Sequence, residues 1–406
     1  RRDHGKLIFI DLRDRSGIIQ IVVKESQQLR LEDVIEVAGV VNKRPAKMVN
    51  KNLPTGEVEV AAKTINVLSK AETLPFDMGT EALSLELPTL LDWRSLTLRH
   101  LKIKGIFAVQ AQIMENFRKL AKELGCTEIV VPTIVSGATE GGAELFAIDY
   151  YDKTAYLSQS PQLYKQMMVP IFERVWTIAK AYRAEPSVTT RHLTETTQMD
   201  CELGFVEFTE LLDILEEMAI KMVKDIKADD KVAIGKIPRL TLKEAQRIIN
   251  VQEDKDLSPQ DEVDICSWAK GKHGSDFVTI THFPTLAKPF YTMPDPKNPQ
   301  SSLSYDLLFR GVEILSGSQR INDYEKLVKN IKERGMNPDN FELYLQAFRY
   351  GMPPEGGFSF GLERLTMKLL NLANIREASL FPRDMERVDV RLSSHEKKNS
   401  KETGRH

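Results

Sequence analysis

Arg183 and Glu185 stand two residues apart, and Gln198, Asp200 and Glu202 repeat that spacing beyond the connection Thr189-Thr190-Arg191-His192. On an extended strand, residues i and i+2 project from one face. If the two runs pair, cations and carboxylates converge on one side of a sheet. Such a cluster is costly to bury unless a ligand or mutual ion pairing satisfies it. A second cluster lies in residues 304–320, SYDLLFRGVEILSGSQR, which read as a hairpin turning at Arg310-Gly311. If Phe309 pairs with Val312, Leu308 lies opposite Glu313, and Asp306 sits diagonally from Glu313 on the same face. Two carboxylates so placed repel each other unless a cation lies between them. Magnesium, bound by one or two carboxylates together with nucleotide phosphates, fits best.

Two further segments carry weaker signals. Ser160-Pro161-Gln162-Leu163-Tyr164-Lys165-Gln166 opens like a helix, with Ser160 as N-cap and Pro161 in the first turn. Gln162 and Lys165 then share a helix face, a pattern that an exposed lysine on a solvated helix explains as well as a functional one. Residues 351–365, GMPPEGGFSFGLERL, are glycine-rich and run into a helix beginning near Glu363, with Arg364 at the junction. Gly356, Gly357 and Gly361 permit close backbone approach by a ligand. Neither GxxxxGK[ST] nor GxGxxG occurs, so the P-loop and the dinucleotide fingerprint are excluded.

Positioning these residues takes more than one core, and 406 residues allow two domains or more. Residues 1–68 read as about five short strands with little helix: 6–11, 18–23, 34–41 and 56–68 are the apolar runs, which suits a small OB-type barrel. Residues 69–95, with Pro75, read as a linker. From 96 to 394 a helix over 103–124 is followed by strands over 128–134, 175–182, 198–205, 277–281 and 303–315. They alternate irregularly with helices, the signature of an α+β domain with a largely antiparallel sheet. Helices over 208–228 and 242–250 form an expected helical insertion at about 207–272. Residues 395–406 are a polar tail expected to be disordered.

Composition is ordinary for a globular protein, at 42% hydrophobic and 28% charged residues. The net charge of −2 means that a nucleic-acid partner must be met by a local basic surface. No apolar run reaches membrane-spanning length and no signal peptide opens the chain. Cys126, Cys201 and Cys266 are widely spaced and form neither a disulfide framework nor a zinc motif, as expected of a cytoplasmic protein.

Taken together, the segments resemble class II aminoacyl-tRNA synthetases, specifically the aspartyl group, over nearly the whole chain. The three class signatures are matched by residues 105–132, with Pro132 at the implied dimer interface, by residues 181–202, and by Gly361-Leu362-Glu363-Arg364. The aspartyl group adds ATEGGAELF at 138–146, QSPQLYKQ at 159–166, GSQRINDY at 317–324, AFRYGMPP at 347–354 and LFPRD at 380–384. RRDHGKLIFIDLRDRSGIIQIVV resembles the anticodon-binding OB domain of bacterial aspartyl enzymes, whereas the catalytic half resembles the compact archaeal and eukaryotic type.

The resemblance implies an aspartate–tRNA ligase, a homodimer that uses ATP and magnesium. Arg183 would hold the ATP α-phosphate, Glu185 the adenine amino group, and His192 and Arg364 the γ-phosphate, with Arg191 nearby and Gly361 in the nucleotide site. Asp306 and Glu313 would hold magnesium. Arg320 and Lys165 would receive the aspartate side-chain carboxylate, while Glu140, Gln162 and Asp200 orient its ammonium group. In the barrel, Phe9 would stack on an anticodon base and Arg2, Gln20 and Glu59 would contact base edges or backbone. There are departures: Thr196 stands where many relatives carry an aromatic that packs on adenine, and Glu355 replaces the histidine of PPHGG. His4 points to relaxed charging of tRNA(Asp) and tRNA(Asn), and Lys47 to strict charging of tRNA(Asp). An asparaginyl enzyme, or an inactive RNA-binding paralogue, is the more distant reading.

Overall fold

A computed structural model of the protein describes residues 2–4, 7–24, 28–79, 83–137, 144–186, 189–228, 230–252 and 256–392. Glu140 and the tail 395–406 lie outside the described residues. The chain divides into two units, Arg1–Ser84 and Leu85–His406. In the first, strands Arg2–His4, Leu7–Arg13, Ile18–Val23, Val34–Lys43 and Val58–Ser69 form one sheet, in the spatial order first, second, third, fifth, fourth. Alternation places Ile8, Ile21 and Val23 inward, with Ile10, Leu12 and Ile19 packed on them. Phe9 therefore lies on the opposite face. The register sets position 2 opposite Phe9 and Gln20 opposite Asp11, so Phe9 and Gln20 share the face away from Ile8, Ile21 and Val23. Gln20 Nε2 donates to Glu59 Oε2 at 3.0 Å, which brings Glu59 to the same group.

The second unit is built on eight strands in the order Arg239–Thr241, Phe277–Thr281, Ser304–Phe309, Val312–Gln319, Glu355–Gly361, Glu195–Gly204, Arg174–Tyr182 and Thr127–Glu128. Pairing is antiparallel except at the two edges, where short strands join in parallel. The central strands are two-faced. Met199, Cys201 and Leu203, with Phe358 and Phe360, enter the main apolar core. Helices Leu101–Glu123, Phe208–Val223 and Leu362–Leu369 cover that face with residues spaced three and four apart, such as Ile113, Phe117 and Leu120. Phe117 meets Trp176 edge-on at 5.8 Å between ring centres. The intervening residues Gln198, Asp200 and Glu202, with Gly357, Ser359 and Gly361, are left for the other face. There, helix Gln162–Phe172 packs beside helix Glu342–Arg349 in a second apolar cluster around Phe290 and Tyr344.

Three expectations change. A strand over 128–134 does not form; only Thr127–Glu128 and Ile134–Val135 pair, and Pro132 between them has no N–H to offer a ladder. The helix expected to reach residue 228 ends at Val223. The segment 207–272, expected as a helical insertion beside the sheet, also supplies a strand: Leu211, Leu215, Met218, Met222, Ile226 and Ile237 are part of the main core, and Arg239–Thr241 extends the sheet.

Candidate active site

The polar face of the central strands opens into a cleft of about 220 Å³, lined by Gln162, Lys165, Arg183, Arg191, His192, Thr196, Asp200, Lys288, Glu313, Arg320, Gly361 and Arg364, among others. Its floor follows from register. Thr177 pairs with Asp200 and Val175 with Glu202, while Asp200 pairs with Ser359 and Glu202 with Gly357 across the next strand. Asp200 Oδ2 accepts from Ser359 Oγ at 3.0 Å. A Cβ at position 357 would collide with the Glu202 carboxylate, so glycine there makes room for it.

At one end the cleft holds four fully buried charges that satisfy one another. Lys165 Nζ lies 2.7 Å from Asp200 Oδ1 and 3.0 Å from Glu202 Oε2. Arg320 Nε donates to Glu202 Oε1 at 2.7 Å and Nη2 to Gln162 Oε1 at 3.1 Å, and its guanidinium lies over the Tyr291 ring at 5.2 Å. Burial alone would raise the Glu202 carboxyl, but Arg320 and Lys165 bring it down to about 2. Burial likewise opposes the Lys165 ammonium, yet Asp200 and Glu202 outweigh it and raise its pKa. The helix carrying Gln162 and Lys165 begins one residue later than expected, with Pro161 as N-cap; Ser160 Oγ still accepts from the Gln162 N–H at 3.3 Å. Lys165 is only 1% exposed, so the solvated-helix alternative fails.

The other end is more open. The strand expected to carry Arg183 and Glu185 stops at Tyr182, and both lie just beyond it; Arg183 still donates its N–H to Thr194 O at 2.9 Å. Arg183 lines the cleft, whereas Glu185 is not among the described residues that do. His192 Nδ1 shares a 2.5 Å hydrogen bond with Thr189 Oγ1, and burial and the nearby Arg364 lower its pKa. Arg191 is paired with Glu262 at 2.8 Å. Burial, then repulsion by Glu313, pushes the Glu262 carboxyl up to about 7.

The 304–320 hairpin forms as expected, with Phe309 opposite Val312 and Leu308 opposite Glu313, followed by a bulge at Leu307/Leu308. Burial and then Asp306 raise the Glu313 carboxyl, so the two acids do feel each other. Lys288 Nζ sits 2.9 and 3.0 Å from the Asp306 oxygens, and Arg364 Nη1 lies 3.6 Å from Glu313 Oε1. Glu313 lines the cleft, whereas Asp306, opposite Ser316 beyond the bulge, is not among the described residues that do.

The structure thus brings Gln162, Lys165, Arg183, Arg191, His192, Asp200, Glu313, Gly361, Arg320 and Arg364 to one cleft. Pro132 lies elsewhere in the same unit, and Arg2, Phe9, Gln20 and Glu59 belong to the first unit. Sequence reading did not assign Glu202, Glu262, Lys288 or Glu355 to the site. Glu202 had a visible signal, its two-residue spacing from Asp200. Lys288 and Glu262 had none, because only the fold brings them to Asp306 and Arg191.

Residues 86–385 match the family model for tRNA synthetases class II (D, K and N), and residues 1–68 match the OB-fold nucleic acid binding domain. The chain belongs to the class II tRNA synthetases, which use ATP as a substrate. It is 42% identical over 405 residues to an aspartate–tRNA(Asp/Asn) ligase of Thermus thermophilus, covering 96% of this chain and 94% of that one. It is 40% identical over 410 residues to an aspartate–tRNA(Asp/Asn) ligase of Archaeoglobus fulgidus, covering 95% and 94%. A crystal structure of asparaginyl-tRNA synthetase from Pyrococcus horikoshii complexed with asparaginyl-adenylate superposes with a TM-score of 0.86 at 32% identity, covering 95% of this chain and 93% of that one.

Proposed function

We propose that the protein is an aspartate–tRNA ligase: it activates L-aspartate with ATP to aspartyl-adenylate and transfers the aspartyl group to the 3′ end of tRNA(Asp). The observation that carries this reading is the buried set Lys165, Asp200, Glu202 and Arg320. Two cations fixed in a desolvated pocket can exchange part of their pairing for a substrate carboxylate. Asparagine brings no charge to replace what it displaces, so it is rejected. Gln162 and Asp200 would hold the ammonium group at the mouth of the same pocket, and the resemblance gives Glu140 a share in that role.

The chemistry needs no protein nucleophile. The aspartate α-carboxylate attacks the α-phosphorus in line, forming the mixed anhydride and releasing pyrophosphate; the terminal adenosine hydroxyl of tRNA then attacks its carbonyl. Arg183 would neutralise charge on the α-phosphoryl oxygens, and Arg364, His192 and Arg191 would bind the outgoing phosphates. Glu185 would meet the adenine amino group, Gly361 would let the nucleotide lie close to the backbone, and Thr196 leaves that ring without an aromatic neighbour.

Asp306 and Glu313 fit magnesium. They are two mutually repelling acids, and no group of three or more His, Cys, Asp or Glu side chains among the described residues could hold a metal alone. An ion there would draw its remaining ligands from phosphates, as magnesium does. When bound, it would supply charge neutralisation for the polyphosphate. The protein is further proposed to be cytoplasmic and a homodimer with Pro132 at the interface, its first unit binding the anticodon through Phe9, Arg2, Gln20 and Glu59. No helix among the described residues is long and apolar enough to cross a membrane.

Aspartate-dependent exchange of pyrophosphate into ATP tests the reading; exchange that runs faster with asparagine would overturn it. Charging of purified tRNA(Asn) with labelled aspartate decides between the strict enzyme and the relaxed one, on which His4 and Lys47 disagree.

A further inference from the structure

Behind the amino-acid end of the cleft, beside Asp200 and Glu202, lies a third buried acid. Glu355 is fully buried at the start of strand Glu355–Gly361. Its Oε1 accepts from Gln166 Nε2 at 2.7 Å, and Gln166 Oε1 in turn accepts from Tyr344 Oη at 3.1 Å. Its Oε2 meets no protein donor, and the carboxyl lies against the Glu202 carboxylate. Its own carbonyl accepts from the Arg320 N–H at 2.9 Å, so the backbone of the two residues is locked together. The titratable groups facing it are Glu202, Arg320, Tyr344 and Tyr305.

Charge decides how this arrangement can exist. Lys165 and Arg320 carry two positive charges, and Asp200 and Glu202 carry two negative ones. A third carboxylate would make the buried subsite net negative and would press directly on Glu202. Two carboxyl groups in contact do not both ionise in a desolvated site; one keeps a proton and donates it to the other. Oε2, the oxygen without a donor, is the atom that gains by carrying that proton.

We propose that Glu355 is a specificity-determining positioning residue of the amino-acid subsite: as a neutral acid it donates to Glu202, fixes that carboxylate on Arg320, and withholds the negative charge that would repel a substrate carboxylate. This deepens the aspartate reading and rests on it. Burial and the Glu202 charge hold the Glu355 carboxyl well above the usual carboxylate range, in keeping with that geometry. The substrate side chain never touches Glu355; it is served by Lys165 and Arg320, whose partner Glu202 stays in place because Glu355 holds it from behind.

The test has two readouts. In the ligand-free protein at neutral pH, infrared spectroscopy is expected to show the carbonyl stretch of a protonated carboxylic acid, lost in Glu355→Gln. An unchanged spectrum overturns the proposal whether or not aspartate is the substrate. In pyrophosphate exchange, Glu355→Ala is expected to raise the aspartate KM about tenfold with kcat within about threefold, since a positioning loss of ~1.4 kcal/mol falls on substrate binding. Glu355→Gln, which keeps a donor toward Glu202, is expected to recover most of that loss. If the glutamine variant is as impaired as alanine, the neutral-donor role is wrong. Should the alanine variant fail to fold, Glu355→Asp, whose acid falls short of Glu202, is expected to raise KM in the same direction. If wild type shows no exchange with aspartate, the functional reading fails, while the infrared result still stands or falls alone.

Discussion

The two ends of the cleft solve opposite problems with the same residue types. At the amino-acid end, Lys165, Asp200, Glu202 and Arg320 are buried and ion-paired with one another. At the end proposed for the phosphates, Arg183, Arg191, His192 and Arg364 are only partly buried, and the nearby Glu262 and Glu313 carboxyls are raised by burial and paired with Arg191 and Arg364. Binding at the first end is therefore an exchange of partners in a rigid, desolvated frame. At the second, under the proposed function, it would be the arrival of anions on a surface that already carries positive charge. Specificity belongs to the first kind of site, where a wrong substrate leaves a buried charge unpaired. Charge neutralisation belongs to the second.

The contrast breaks most sharply at Arg320. Arg320→Leu strands Glu202 in the interior, and urea unfolding is expected to show a loss of about 3–5 kcal/mol. A loss under 1 kcal/mol would mean the amino-acid end is not the rigid frame described. Arg183→Gln is the counterpart at the open end. Exchange kcat is expected to fall about 100- to 1,000-fold, comparable to losing one preorganised donor to developing charge. Stability, by contrast, should change by no more than about 0.5 kcal/mol, as for a surface substitution. Equal damage to fold and rate at both positions would erase the distinction.

The smallest effect sharpens the comparison through pH. The native Glu262 carboxyl titrates near 7, above its ordinary value of 4.5. A group raised in the folded state favours folding fully below the unfolded value and loses that contribution as pH rises through the folded one. Wild type should therefore lose stability between about pH 4.5 and 7 relative to Glu262→Gln, which has no proton to release. Water at the carboxylate's exposed edge trims the difference to the order of 1–2 kcal/mol. Thermal melts at pH 4.5 and pH 8 check it: the variant's advantage should appear only at the higher pH.

Much of this was legible before the fold was known. The alternation in residues 198–202 and the pairing of Leu308 with Glu313 are local consequences of a two-residue period, and the structure keeps both. The class resemblance located most cleft residues as well. What could not be read is what depends on packing between distant segments. The sequence gives no reason for Lys288 to reach Asp306, for Glu262 to hold Arg191, or for Glu355 to press on Glu202. Nor does it tell a buried Lys165 from an exposed one, because its burial comes from the sheet strands that carry Asp200, Glu202 and Phe358. Pro132 ended an expected strand for a local reason, but whether the flanking residues ladder is decided by the partner strand.

The two-faced strand Glu195–Gly204 has one further consequence. Met199, Cys201 and Leu203 build the core that holds the domain together, and Asp200 and Glu202, their immediate neighbours, build the pocket. A slip of one residue in pairing would send both carboxylates into the oil and three apolar side chains into the cleft. The chain therefore has no register in which the domain is folded and the pocket is absent. Pairing that strand correctly therefore builds the core and the floor of the pocket in one step.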